Sequence, residues 1–167
     1  AFEAGYGGGL LAKLTGTYEW YHKVTEKTVF ATDINAGIMP VDANKIGPTE
    51  RFYMGGTDDL RGFAYRRAGP HDSKDHDVPL GGATKLVARN ELRYPLIDNL
   101  MGLVFVDAGM MSHQAFTLSS PRASTGLGLR LGMKGVQAGV DFAAPVVKGK
   151  NDQTRFIHFS VSGLSPL

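Results

Sequence analysis

The segment 50–70 carries the residues of this chain whose types and spacing best suit specific binding chemistry. It reads ERFYMGGTDDLRGFAYRRAGP. Paired glycines permit backbone conformations that other residues avoid, and the planar guanidinium of an arginine can bind two carboxylates at once. Taken alone, the string also fits a structured surface turn. Its candidate functional residues are Gly55, Gly56, Leu60, Arg61, Gly62 and Phe63.

Two carboxylates are placed to receive that arginine. Glu91 and Asp107 lie on the polar faces of two predicted strands that follow each other along the chain. Side chains on one face of neighbouring strands point the same way, so both carboxylates would point into the interior of a barrel. If the long loop folds inward, Arg61 is the natural partner of both. The first hypothesis is therefore a site that docks the loop.

The other polar clusters offer weaker chemistry. The string PHDSKDHD holds imidazole and carboxylate groups, which are ligand types of zinc and calcium sites, but a hydrated stretch of the long loop is the simpler interpretation. No motif ties a serine or an aspartate to a histidine, so no catalytic residue is predicted. We expect no enzyme activity, no metal and no cofactor. The polar residues of the string are His71, Asp72, Asp75, His76 and Asp77.

The elements that must position these residues are β-strands. Gly or Pro interrupts nearly every candidate helix, whereas apolar and polar residues alternate with period two through most of the chain. Within 124–133, Leu127, Leu129 and Leu131 share one face, and Arg130 lies on the other. The alternation predicts a fragmentary strand at 2–6, further strands at 10–22, 29–38, 85–94, 103–110, 124–133, 136–144 and 155–163, and a long loop at 39–80.

Strand length and the polar faces favour a membrane barrel over a soluble sandwich. The longer predicted strands can cross a bilayer, and their polar faces combine charged residues with many glycines, as a wet lumen requires. Tyr18, Trp20 and Tyr94 suit an aromatic girdle at the membrane interface. No apolar run is long enough to predict a transmembrane helix.

Composition excludes several function classes. The chain has 167 residues, enough for one domain, and 22 of them are glycine. The absence of cysteine excludes disulfides, thiolate catalysis and Cys-ligated metal sites. The net charge is only +2 and no basic block occurs, so nucleic acid is not an expected partner. The chain opens without Met or a signal sequence, and we expect a mature protein or a fragment.

An ordered set of motifs resembles the C-terminal barrel region of the BamA superfamily. The motifs are ERFYMGGTDDLRGF, LGGATKLVARNELRYPL, LVFVDAG, ASTGLGLRL and RFIHFSVSGL. The superfamily includes TamA, the barrel-assembly proteins of mitochondria and chloroplasts, and the two-partner secretion transporters. The resemblance implies that the long loop enters the barrel, where Arg61 contacts Glu91 and Asp107. It also implies POTRA domains before the barrel, and none is recognised in this chain.

The length of the loop 39–80 also favours a barrel larger than this chain can form. The interior of an eight-stranded barrel is just wide enough for its own side chains, so it cannot also hold a long loop. We predict an all-β antiparallel meander that forms about half of a transmembrane β-barrel, with the loop folded into the lumen. Residues 1–167 would be its C-terminal portion. The first strand would need a partner, because an open sheet edge cannot face lipid.

The resemblance implies a protein that inserts other β-barrel proteins into an outer membrane through a lateral seam. A bacterial outer membrane is expected, ahead of the outer membrane of an organelle. A client strand would add to an exposed edge by main-chain hydrogen bonds. A two-partner secretion transporter, and a passive channel or structural barrel without a client, stay open as alternatives. The residues expected at the seam are Phe156, Ile157, His158, Phe159, Ser160, Val161 and Ser162.

The expected partners follow from the same resemblance. They are outer-membrane lipid and unfolded β-barrel clients. The POTRA domains and the first barrel half of the same parent protein are expected too, together with accessory lipoproteins.

Overall fold

The chain folds into one antiparallel sheet of eight strands that pair in sequence order, with β1 and β8 at its two ends. The computed structural model describes residues 2–6, 10–75, 77–133 and 135–163. The predicted all-β meander is confirmed. The strands are β1 (Phe2–Tyr6), β2 (Leu10–Lys23), β3 (Val29–Ile38), β4 (Thr84–Ile97), β5 (Leu100–Ser112), β6 (Arg122–Met133), β7 (Val136–Val147) and β8 (Ile157–Gly163).

Two of the strands that extend beyond their predicted ends do so through prolines, which the sheet accommodates. β4 continues to Ile97 and β7 to Val147. Each extension passes through a proline, Pro95 or Pro145, which lacks the N–H that a strand ladder uses. The pairing register shifts beside Pro95 and opposite Pro145. These irregularities let the strands continue where proline predicts an end.

The sheet has an apolar outer face and a covered inner face. Leu127, Leu129 and Leu131 are 61, 40 and 42% exposed, whereas Arg130 points to the opposite face and binds Asp141. Such an apolar face is the one that a membrane barrel presents to lipid. No helix among the described residues is long and apolar enough to cross a bilayer. Further exposed apolar and aromatic residues of the strands include Tyr18, Trp20, Tyr94, Val104, Val106, Phe142, Phe159 and Val161.

The long loop, residues 39–83, covers the inner face. It contains one turn of 3-10 helix, Ala43–Lys45, and otherwise irregular structure with isolated bridges. Its apolar side chains are buried, so the core of this chain lies between loop and sheet. One cluster comprises Met54, Leu60, Phe63 and Ala68 of the loop with Val87 of β4 and Met111 of β5. A second comprises Met39, Ala43, Ile46 and Ala83.

Candidate functional site

Arg61 is fully buried between the long loop and the inner face, where its guanidinium binds carboxylates from three strands. Nε and Nη2 donate to the two carboxylate oxygens of Asp107 on β5, over 2.7 and 2.8 Å. Nη1 donates to Glu91 on β4 over 2.7 Å, and the carboxylate of Asp141 on β7 lies 3.4 Å from the same nitrogen. The planar fork of one side chain therefore ties the loop to β4, β5 and β7.

The ring of Phe105 on β5 supports the guanidinium from one side. The central carbon of the Arg61 guanidinium lies 3.6 Å from the ring centroid, a cation–π arrangement. Gly126 is the partner of Phe105 on β6. A Cβ at Gly126 would lie 2.5 Å from Phe105 Cζ. Glycine at this position therefore leaves the space that the ring fills.

Further arginines neutralise the carboxylates of the site. Arg93 donates through Nε to Glu91 over 2.8 Å. Arg130 binds both carboxylate oxygens of Asp141, over 2.6 and 2.9 Å. Within the part of the chain that the structure describes, carboxylates and arginines therefore alternate through the interior. This alternation matters because an uncompensated buried charge is strongly destabilising.

The surroundings of Arg61 stabilise its charged form. Burial by itself lowers the pKa of the guanidinium, because a low dielectric disfavours charge. The hydrogen bonds and charge of Asp107, followed by the charges of Glu91 and Asp141, outweigh burial and raise the pKa of Arg61 above its ordinary value. The site is therefore a permanent ion-pair cluster and does not release a proton from Arg61.

Glycines allow the loop to bring Arg61 to the strands. Gly55 and Gly56 have φ angles of 108° and 118°, in a region that favours glycine. The N–H of Gly56 donates to the carbonyl of Leu60 over 3.2 Å, which closes a tight turn before Arg61. Gly62 has φ 88°, and a Cβ there would lie 2.9 Å from the Cβ of Ser124. Gly62 thus permits the closest approach of the loop to β6.

The structure brings Arg61, Glu91 and Asp107 together in the geometry that the sequence hypothesis describes. Leu60 and Phe63, on either side of the Arg61–Gly62 pair, are fully buried apolar anchors of the loop. The predicted seam residues occupy β8 except Phe156, which immediately precedes it. One of them faces the loop, since Nε2 of His158 lies 3.0 Å from the main-chain nitrogen of Gly62.

Sequence reasoning did not identify three residues that contact the loop. Asp141 lies on the polar face of β7, and Phe105 shares a strand face with Asp107, so the alternation carried a signal for both. The contacts themselves depend on how far the loop reaches across β5, β6 and β7. The role of His158 had no signal, because its partners belong to the distant loop.

A second buried ion pair holds the same loop nearer to its end. Arg122, the first residue of β6, pairs with Asp152 in the connection between β7 and β8. The side chain of Asp152 is fully buried and also accepts hydrogen bonds from the N–H groups of Gly69, over 3.1 Å, and Gly149, over 2.6 Å. The long loop contributes mainly the N–H of Gly69 to this contact, and Nδ1 of His71 lies 4.0 Å from the same carboxylate.

The described residues of the polar string, 71–75 and 77, form local turns of the long loop. The carboxylate of Asp72 accepts hydrogen bonds from the N–H groups of Lys74 and Asp75. His71 Nδ1 lies 2.9 Å from the carbonyl oxygen of Gly69. The described residues contain no group of three or more His, Cys, Asp or Glu placed to hold a metal ion. His76 lies outside the described residues.

Comparisons with known proteins place this fold and its motifs in a family. The crystal structure of BamA from Haemophilus ducreyi lacking POTRA domains 1-3 matches with a TM-score of 0.76 at 22% identity, covering 93% of this chain and 36% of that chain. A SAM50-like protein of Schizosaccharomyces pombe is 29% identical over 126 residues, which are 67% of this chain and 26% of that protein. The chain thus spans well under half the length of these proteins. Residues 1–163 match the Omp85 superfamily domain, and this chain is therefore a member of the Omp85 superfamily.

Proposed function

We propose that this chain is the C-terminal part of an outer-membrane barrel that inserts other β-barrel proteins into the membrane through a lateral seam. The observation that carries the proposal is the docking of the long loop by the buried Arg61 fork, in a chain of the Omp85 superfamily. The proposal assigns no catalytic reaction to the chain. Its site is a positioning device made of Arg61, Glu91, Asp107 and Asp141.

The docked loop supports assembly over passive conduction. The loop fills the inner face, and its Leu60, Arg61 and Phe63 side chains are completely buried against the strands. A barrel whose interior is occupied in this way is poorly suited to act as an open pore. Burial of charged groups also carries a desolvation penalty. This penalty favours a functional role for the docked loop over a purely stabilising one.

The edge of β8 supports a seam. In the described sheet β8 pairs only with β7, over seven residue pairs, whereas β4 and β5 pair over thirteen. Ser160 and Ser162 offer little side-chain packing across strands. An unpaired edge presents N–H and C=O groups to which a client strand can add. The proposed seam comprises Phe156, Ile157, His158, Phe159, Ser160, Val161 and Ser162.

The proposal includes a set of partners. The apolar outer face would contact outer-membrane lipid, and unfolded β-barrel chains would be the clients. The first barrel half and POTRA domains of the same parent protein would complete the molecule, with accessory lipoproteins as further partners. The bacterial outer membrane is the proposed location.

Reconstitution of the full-length protein in liposomes tests this function. We expect it to accelerate folding of an added, unfolded β-barrel client, read as heat-modifiable migration and protease protection. Empty liposomes and liposomes with an unrelated closed barrel are the controls. Translocation of an unfolded polypeptide into the lumen without client folding would instead identify a secretion transporter. Ion conductance with neither activity would identify a passive channel.

A further inference from the structure

The chain that leads into β8 leaves the sheet and pairs with the long loop. The regular pairing of β7 with β8 ends at Phe142 and Ile157, with one further bond from Ala143 N to Phe156 O over 2.8 Å, although β7 itself continues to Val147. The N–H of Arg155 donates to the carbonyl of Gly62 over 3.0 Å. Two further bonds, from Ala64 N to Gln153 O over 2.9 Å and from Gln153 N to Arg67 O over 3.3 Å, extend this ladder. The start of β8 is therefore held by the loop.

His158 adds a side-chain contact inside β8 itself. Its ring is buried, and Nε2 lies 3.0 Å from the Gly62 nitrogen and 3.0 Å from the carbonyl oxygen of Arg155. A main-chain N–H can only donate, so Nε2 accepts from Gly62 when the ring proton is on Nδ1, and in that tautomer Nε2 makes no hydrogen bond to the Arg155 carbonyl. Nδ1 then faces the hydroxyl oxygen of Thr57, 3.3 Å away. The ring thus contacts the loop on both sides of Arg61.

The contact to Gly62 adjoins the docking site. Gly62 follows Arg61 directly, so a single peptide separates the ion-pair cluster on β4, β5 and β7 from the His158 contact on β8. Gly62 also has little freedom to move toward the sheet, because even a Cβ there would meet Ser124 at 2.9 Å. A displacement of the loop at Arg61 must therefore change the contact at His158.

We propose that His158 is the positioning residue through which the docked loop holds the N-terminal end of the seam strand β8. The inference rests on the proposed function, since the seam role of β8 belongs to that proposal. Release of the loop would free residues 153–155 and the His158 ring from these contacts, and β7 alone would then hold the start of β8. With the loop docked, His158 keeps this end of the strand against Gly62 and Thr57.

Hydrogen exchange on the full-length protein in lipid nanodiscs tests the coupling. In His158→Ala, we expect the amides of 156–160 to exchange about tenfold faster, the factor that corresponds to about 1.4 kcal/mol. Amides around Arg61 should keep their protection. His158→Gln should restore most of the protection at β8, because its amide can both accept from Gly62 and donate. His22→Ala is the matched control, because His22 stacks on Trp20 of β2, away from the loop.

The outcomes separate this inference from the proposed function. If β8 exchange in His158→Ala equals that in His22→Ala, the coupling is overturned whatever the client assay shows. If glutamine gives no more protection than alanine, a specific hydrogen-bonding role is overturned as well. If β8 exchange rises as expected but full-length protein inserts no client in the liposome assay, the coupling stands and the proposed function fails.

Discussion

Two buried arginine–carboxylate pairs hold the same loop, and they do so in different ways. At the first, the loop itself supplies the arginine, and Arg61 reaches carboxylates on three strands. At the second, Arg122 of β6 and Asp152 of the β7–β8 connection form the pair, and the loop supplies the main chain of Gly69. The first anchor therefore depends on the identity of a loop side chain, whereas the second depends mainly on the loop backbone.

This difference indicates that the anchors are not interchangeable. Loss of Arg61 removes the shared cation from several buried carboxylates, of which Asp107 has no other arginine among the described contacts. Loss of the charge on Asp152 weakens its ion pair with Arg122. Its other hydrogen-bond partners include the main-chain N–H groups of Gly69 and Gly149. We expect the two anchors to differ in both the size and the spread of their effects.

The largest expected effect is that of Arg61→Ala. Breaking a buried ion pair by removing one partner costs about 3 to 5 kcal/mol. Because docking of the loop loses this free energy, cleavage of the loop by dilute protease should accelerate at least about a hundredfold in the full-length protein. Client insertion should fall with it. Arg61→Lys should recover part of the protection, since lysine restores charge without the planar fork.

Arg66→Ala is the matched control for this experiment. Arg66 lies in the same loop but is exposed, and it contacts the rings of Tyr53 and Tyr65. Its replacement should change loop cleavage little. Equal cleavage rates for Arg61→Ala and Arg66→Ala would show that the first anchor does not hold the loop.

Asparagine substitutions rank the carboxylates of the first anchor. Asp107→Asn should lower the free energy of unfolding by about 3 kcal/mol, since it loses two short charged hydrogen bonds. Asp141→Asn should cost only about 1 kcal/mol through Arg61, because that contact is longer, at 3.4 Å. Both substitutions are made in an Arg130→Ala background, which removes the separate Arg130–Asp141 pair from the comparison. Thermal unfolding followed by heat-modifiable migration measures both. The reverse order would contradict the assignment of Asp107 as the main partner.

Asp152→Asn should have a smaller and more local effect. Removal of the charge weakens the Arg122 pair but retains an acceptor for the N–H of Gly69, so we expect a cost of about 2 kcal/mol. Hydrogen exchange should accelerate around Gly69 and Gly149 and stay slow around Arg61. Equal acceleration at both anchors would mean that they open together, which would remove the distinction drawn between them.

Alanine at two glycines gives the smallest expected difference. Gly62 and Gly69 both have positive φ, of 88° and 130°, so alanine is strained at each by about 1 to 3 kcal/mol. At Gly62 the new Cβ also meets the Cβ of Ser124, whereas at Gly69 it meets the flexible end of Met111. Gly62→Ala should therefore lower the melting temperature more than Gly69→Ala. Gly16→Ala, with nothing within 4 Å of the new Cβ, serves as the control.

Period-two alternation predicted most of the fold. The alternation that sets Leu127, Leu129 and Leu131 apart from Arg130 is a local property, since successive side chains of a strand point to opposite faces. The strand ends at Ile97 and Val147 were less predictable. Proline ends a strand unless the neighbouring strand supplies an irregularity, and that depends on a distant part of the chain.

The residues of the candidate site were predictable where the alternation of strand faces determines which side chains point inward. Glu91 and Asp107 lie on adjacent strands, β4 and β5, so alternation alone aims both inward, and the motif resemblance supplied Arg61 as their partner. Asp141 and Phe105 had the correct faces, yet nothing local showed that the guanidinium lies within reach of both. Contact distance depends on where the loop crosses the strands.

The sequence by itself determined the strands, their inner and outer faces, and the glycines that let the loop turn, because each follows from the geometry of neighbouring residues. Only the tertiary structure decided that Arg61 shares its charge with Asp141, that Asp152 and Arg122 form a second anchor, and that His158 receives the N–H of Gly62. These contacts join residues far apart in the chain. Their geometry is set by the packing of one loop against several strands at once, which no local pattern records.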